Sequence, residues 1–144
     1  MTEAEQRVRD SFSGQRVMAT IGASLARVLP GEVDIALPYR GDLTQQHGFL
    51  HAGIVATIAD SACGYAAFSL MPAGVGVLSI EYKINLLAPA RGERFVARGR
   101  VVRAGRTVTV CQADVYAEIE GKEQLIATQL ASIMTIRDRP EVVG

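Results

Sequence analysis

The sequence predicts an α+β fold in which a curved antiparallel sheet wraps around one long central helix. Residues 52–70 have a helix-forming composition and are apolar on nearly every side, so other elements must enclose this helix. The segments after it change to a two-residue apolar alternation, which is typical of half-buried strands. Short turns between these segments indicate that the strands are antiparallel.

A short helix and two strands are predicted before the central helix. We expect an amphipathic helix over about residues 2–13. Residues 21–39 contain two runs of alternating apolar residues around Pro30-Gly31, a pattern that predicts a hairpin. Residues 40–49 are polar and contain glycine, so they are expected to form the loop that leads into the central helix.

Four strands are predicted after the central helix. The first, residues 77–87, is expected to be half-buried, with an apolar face formed by Leu78, Ile80, Tyr82, Ile84 and Leu86. The other three are expected at residues 94–104, 106–119 and 125–136, and the first two of these meet at a turn. Residues 137–144 are expected to be a loose tail, so that residues 1–144 form one domain.

The composition argues against several classes of function. The 144-residue chain carries 15 basic and 15 acidic residues, so no long-range field favours nucleic acid or an acidic membrane surface. The first residues lack the apolar core of a signal peptide, and Asp60 interrupts the longest apolar run, which argues against a membrane span. Cys63 and Cys111 match no disulfide or metal pattern. Together these features predict a cytoplasmic protein without nucleic-acid or membrane partners.

The carboxylate of Asp60 stands alone in the apolar central helix. An unpaired carboxylate in a core is costly, so Asp60 must reach a sheet edge, cap a neighbouring group or carry out chemistry. Near His51 and Gly53, unpaired backbone N–H groups and the positive end of the helix dipole make a site for a developing oxyanion. Asp60 lies about 13 Å along the axis from His51 and on the opposite side of the helix. If both serve one reaction, the site must combine two subunits of a symmetric dimer.

Two segments of the chain carry a resemblance to a known family. The sequences HGFLHAGIVATIADSACGYA and VLSIEYKINLLAPARG resemble those of hotdog-fold acyl-CoA thioesterases of the phenylacetate-degradation (PaaI-like) type. The resemblance covers roughly residues 20–136 and implies the hotdog fold. It also implies an acyl-CoA substrate, a homodimer or dimer of dimers, and no cofactor beyond the coenzyme A of the substrate.

The resemblance implies roles for individual residues. A backbone N–H at the helix start, formed by His51, Ala52 and Gly53, would polarise the thioester carbonyl. Asp60, from across the dimer interface, would activate water or attack the carbonyl directly. The remaining matches are a polar group close to the catalytic acid, a loop histidine, and an amide at a position where many members have Asn; these are Ser79, His47 and Gln45. The family commonly has Gly at the position of Ala52.

Other readings of the same residues remain open. His47 and His51 are spaced for a metal only within a helix, and no third ligand stands out. Arg103 and Arg106 flank a turn and are candidates for binding the phosphates of coenzyme A, although a solvated turn explains them equally well. A non-catalytic acyl-CoA-binding module is the main alternative to an enzyme, and a hotdog dehydratase is a weaker one. The sequence leaves the acyl group open.

Overall fold

One six-stranded antiparallel sheet and three helices make up the computed structural model, which describes residues 1–144. The helices are α1 (Glu3–Gly14), α2 (Arg16–Ile21) and α3 (Ala52–Phe68). The strands are β1 (Ser24–Leu29), β2 (Glu32–Pro38), β3 (Gly76–Leu86), β4 (Arg94–Ala104), β5 (Val108–Ile119) and β6 (Lys122–Ile136). Their spatial order is β1-β2-β4-β5-β6-β3. The predicted α+β architecture, with α3 packed on the sheet as its central helix, is confirmed.

The core forms where α3 packs against the sheet. Helix residues such as Ile58, Ala59 and Ala62 are fully buried, as are Phe95 and Ala97 of β4. Gly99 of β4 lies so close to the helix that a Cβ atom there would collide with the backbone carbonyl of Ala62. A glycine at this position is therefore required for α3 to lie on the sheet.

One face of α3 is left open in the protomer. Gly53, Thr57, Asp60 and Gly64 recur every three or four residues, so they form a single stripe along the helix, and all four are at least partly exposed. The expectation that α3 is enclosed on every side is therefore wrong for one protomer. None of the helices combines the length and the apolar character needed to cross a bilayer.

Strand β3 lies at the edge of the sheet and pairs only with β6. The prediction that it is half-buried is wrong for one protomer, because Leu78 and Ile80 are each 53 % exposed and Tyr82 is 45 % exposed. The register with β6 shifts between Ser79 and Glu81, so that one extra residue, Ile80, bulges out of the pairing. A shift of one residue exchanges the two faces of a strand. Ser79 consequently lies on the same face as Tyr82, the face towards α3.

The two ends of the chain pack together beside α3. Helix α2, which the sequence analysis missed, follows α1 after one residue, and Gly22 caps its C-terminus in the left-handed conformation (φ 83°). Residues 137–144, expected to be a loose tail, instead lie against α1 and the start of β3. Ser11 Oγ donates to the carbonyl of Gly144 over 2.6 Å, and the Gly144 N–H donates to the carbonyl of Val75 over 3.2 Å.

Candidate active site

His51 caps the N-terminus of α3. Its backbone is extended (φ −60°, ψ 138°), and its Nδ1 accepts a hydrogen bond from the Gly53 N–H over 2.8 Å. Because Nδ1 is the acceptor, the proton of the neutral ring is on Nε2. A Cβ atom on residue 53 would lie 3.0 Å from Nδ1, so glycine gives the ring room to fold over the helix end. The Gly53 N–H is therefore already occupied and is not the free donor that the sequence analysis placed at the helix start.

Ala52 carries the free donor at the helix start. Its backbone N–H has no acceptor in the protomer, whereas the next three N–H groups bind the side chain or the carbonyl of His51. The backbone at Ala52 is helical and has no positive φ, so a Cβ atom is accommodated without strain at the position where the resemblance implies glycine. Ala52 lines a cavity of about 440 Å³ whose other walls are mainly apolar, among them Phe49, Val55 and Leu86.

Gln45 organises the loop before α3 and lines the same cavity as Ala52. Its side-chain oxygen, Oε1, accepts hydrogen bonds from the N–H groups of His47 (2.6 Å) and Phe49 (3.3 Å). This arrangement leaves the side-chain NH₂ group of Gln45 without a partner in the protomer. Two residues that line the cavity at the helix start thus carry donors without a partner, Ala52 in its backbone N–H and Gln45 in its side-chain NH₂ group.

Asp60 lies on the open stripe of α3 and is only partly buried. Ser79 Oγ, on the edge strand β3, donates a hydrogen bond to Asp60 Oδ1 over 2.7 Å. Asp60 therefore does reach the sheet edge, as one reading of the sequence required, but its second oxygen has no partner in the protomer. A carboxylate that is held by one oxygen and open at the other can accept a proton from a bound molecule.

A second cavity, of about 340 Å³, opens beside Asp60. Its lining includes Ser79 and Gly64 as well as Gln15 and Tyr65. The sequence analysis did not identify Gln15, Gly64 or Tyr65. A glycine in the middle of a long helix was the one available signal, because glycine weakens a helix unless space or conformation requires it.

The two cavities are separate in one protomer, since no residue lines both. Ala52 and Asp60 are eight residues apart, or about 12 Å along the helix axis. His51 lies on the opposite side of the helix from Asp60, as expected. Gly53 does not, because it lies seven residues, or almost two turns, before Asp60 and is on the same stripe. Axial distance therefore keeps the two cavities apart.

Five predicted site residues line neither cavity: His51 and Gly53 at the helix start, and His47, Arg103 and Arg106 elsewhere. His47 is exposed in the loop, and only its backbone binds Gln45. Arg103 lies opposite Val110, on the face of the sheet away from α3, and Arg106 is exposed in the turn after β4. The structure has no group of three or more His, Cys, Asp or Glu side chains that could hold a metal ion.

The two thiols are packed in the core. Burial raises the pKa of the Cys63 thiol well above its usual range and raises that of Cys111 to about 12. Both residues are fully buried and form no disulfide. Since the thiolate is the reactive form, neither cysteine is suited to act as a nucleophile.

Comparison with known proteins gives a consistent result. The sequence model of the thioesterase superfamily matches residues 47–123, which is more than half of the chain. A crystal structure of a thioesterase family protein from Silicibacter pomeroyi is 56 % identical, covers 93 % of this chain and 98 % of its own, and has a TM-score of 0.92. Human acyl-coenzyme A thioesterase 13 is 28 % identical over 109 residues, 75 % of this chain and 76 % of its own. The Escherichia coli PaaI protein, from the phenylacetic acid degradation operon, shares the fold with a TM-score of 0.84 at 17 % identity, covering 92 % and 93 % of the two chains.

Proposed function

The chain belongs to the thioesterase superfamily, and from this premise we propose that it hydrolyses acyl-CoA thioesters to a carboxylic acid and free coenzyme A. The similarity to human acyl-coenzyme A thioesterase 13 supports coenzyme A as the thiol of the substrate. The observation that carries the proposal is the Asp60 carboxylate, held at one oxygen by Ser79 and open at the other, beside a cavity.

Asp60 would act on water or on the thioester itself. As a general base it takes a proton from a water molecule while the water oxygen adds to the thioester carbonyl. The tetrahedral intermediate then collapses, the C–S bond breaks, and the proton passes from Asp60 to the leaving thiolate. As a nucleophile, Asp60 would instead form a mixed anhydride and release the thiol, and water would hydrolyse the anhydride in a second step. Neither route needs a bound cofactor.

The helix start would stabilise the negative charge that develops on the carbonyl oxygen. The free Ala52 N–H lies at the positive end of the α3 dipole, where a backbone donor is most effective. The free amide of Gln45 lines the same cavity and would be a second donor or an orienting group. His51 would act indirectly, because its side chain holds the first turn of α3 in place.

A second copy of the chain would bring the two half-sites together. Strand β3 has one unpaired edge, and the exposed apolar residues Leu78, Ile80 and Tyr82 lie along it. An unprotected edge of this kind favours pairing with another strand. Antiparallel pairing of two β3 strands would set the two α3 helices side by side in opposite directions, so that the helix start of one faces Asp60 of the other. We therefore propose a homodimer, alone or as half of a dimer of dimers, with two composite sites.

The test is hydrolysis of a panel of acyl-CoAs, with the free thiol detected as it forms. Wild-type protein is expected to release coenzyme A from at least one member of the panel, and the Asp60→Asn protein is the matched control. Binding of acyl-CoA without turnover by wild-type protein would instead identify a non-catalytic binding module. Hydration of an enoyl-CoA without thiol release would identify a dehydratase.

A further inference from the structure

We propose that the acyl group of the substrate lies over Gly64, and that the absence of a side chain at this residue lets the site accept bulk next to the thioester carbonyl. The inference rests on the proposed thioesterase function and assigns a specificity-determining role to Gly64. Nothing in the helix itself explains a glycine at this position.

Gly64 lies in the interior of the 17-residue helix α3, where glycine is less favourable than alanine. The backbone there has no positive φ, so the conformation does not require glycine. No atom comes within 4 Å of the position that a Cβ atom would occupy, so close packing does not require it either. Gly99, by contrast, is demanded by the close approach of Ala62. In the protomer, the missing side chain of Gly64 therefore leaves space open on this face of α3.

The open space is the cavity beside Asp60. Gly64 follows Asp60 by four residues on the same stripe, which places the two about one helical turn, or 5–6 Å, apart. Both line the cavity of about 340 Å³. A thioester whose carbonyl is positioned for attack at Asp60 would therefore place its first and second acyl carbons over Gly64.

Several of the polar groups that line this cavity bind one another. Ser61 Oγ donates to Gln15 Oε1 over 2.8 Å, and Gln15 Nε2 donates to the Tyr65 hydroxyl over 3.0 Å. The Ser11 hydroxyl, which donates to the Gly144 carbonyl, lies 3.2 Å from the Tyr65 oxygen, so the Tyr65 O–H donates to Ser11. The chain of bonds ties α1 and residue 144 to α3. Because these bonds hold this part of the lining in place, we expect the room over Gly64 to limit the width of the acyl group.

These features identify the favoured substrate class as acyl groups that are branched or cyclic at the carbon next to the carbonyl. A linear acyl group needs little width at that point, whereas a branch or a ring attached directly to the carbonyl needs the space that a side chain at position 64 would fill. The lining is mixed, and its apolar members include Val77, Leu78 and the ring of Tyr65, which could contact a hydrocarbon group.

The test compares Gly64→Ala and Gly64→Leu with wild type on butyryl-CoA, isobutyryl-CoA and benzoyl-CoA. For Gly64→Ala we expect a higher melting temperature, kcat/KM for butyryl-CoA within about twofold of wild type, and losses of about tenfold for the other two substrates. Gly64→Leu should increase these selective losses to about a hundredfold. Gly41→Ala and Gly41→Leu are the controls, because Gly41 also has open space around it and lines neither cavity.

Three results would overturn the inference. Equal losses for linear and branched substrates would place the acyl group elsewhere, as would unchanged kinetics in the Gly64→Ala protein. Conversion of the Gly64→Ala protein to a monomer in size-exclusion chromatography would mean that Gly64 makes room for the partner subunit instead. The proposed function would be refuted by a different result, namely wild-type protein that hydrolyses no member of the panel.

Discussion

Ser79 and Asp60 are joined by a 2.7 Å hydrogen bond that depends on a β-bulge in the edge strand β3. By simple alternation along the strand, Ser79 would share a face with Glu81, away from α3. The extra residue at Ile80 interrupts the alternation and places Ser79 towards the helix. The bulge thus brings a hydroxyl group to the only acidic residue of α3.

Replacement of Ser79 tests whether this hydrogen bond positions the carboxylate. Because Ser79 touches Asp60 and not the proposed reacting atoms, Ser79→Ala should lower kcat by about tenfold and leave KM nearly unchanged. Ser79→Thr keeps the hydroxyl and should restore most of the lost rate. If Ser79 were purely structural, the Ser79→Ala protein would have a lower melting temperature but would not show a loss in kcat at nearly constant KM.

Asp60 is expected to be essential for turnover. Asn has nearly the same shape but cannot accept a proton, so Asp60→Asn should lower kcat by at least about a hundredfold while thioester binding is largely kept. Steady-state hydrolysis, acyl-CoA binding and thermal unfolding of both proteins are the measurements. A folded Asn variant that turns over like wild type would make Asp60 structural and the proposed mechanism wrong.

Two inactive chains should complement each other if the site is composite. Ala52→Pro removes the free N–H, and proline suits the first position of a helix after an extended residue such as His51 (φ −60°, ψ 138°). Random mixing of Ala52→Pro and Asp60→Asn chains should restore about a quarter of the wild-type sites, because half of the dimers are mixed and each has one intact site. Activity no higher than that of either parent, after confirmed subunit exchange, would contradict composite sites.

Arg103 and Arg106 are proposed to bind the phosphates of coenzyme A. Such contacts hold the ground state and the transition state alike, so replacing both with Ala should raise KM more than it lowers kcat. Added salt should then weaken substrate binding by wild type more than by the double variant. Both arginines are exposed and form no ion pair in the protomer. An unchanged KM would indicate that both arginines are solvent-exposed turn residues that do not contact the substrate.

Cys63 and Cys111 should be inert in the folded protein. Raised pKa values keep both thiols protonated at pH 8, because that pH lies far below the pKa of about 12 for Cys111 and the still higher one for Cys63. A thiol-reactive disulfide reagent is therefore expected to modify neither residue until guanidinium unfolds the chain, when both should react. Rapid modification of one thiol in the native protein would show that its part of the core opens.

Local sequence patterns were sufficient to predict most of the elements. The two-residue alternation and the long apolar helix locate α3 and the six strands to within a few residues, because each pattern arises from the geometry of its own segment. The lone carboxylate of Asp60 in an otherwise apolar segment likewise marks this helix as a candidate site without any tertiary contact. Helix α2 was missed because six residues contain too few turns to show a period.

The sequence by itself determined which residues are candidates for the site, whereas tertiary structure decided which of their atoms lack a partner in the protomer. Packing left one stripe of α3 open. The hydrogen bond from the Gly53 N–H to the His51 ring left Ala52 with the free N–H. The register shift in β3 turned Ser79 towards Asp60. Each of these outcomes depends on contacts between segments that are distant in the chain or on the exact path of the backbone, and neither leaves a periodic signal in a single segment.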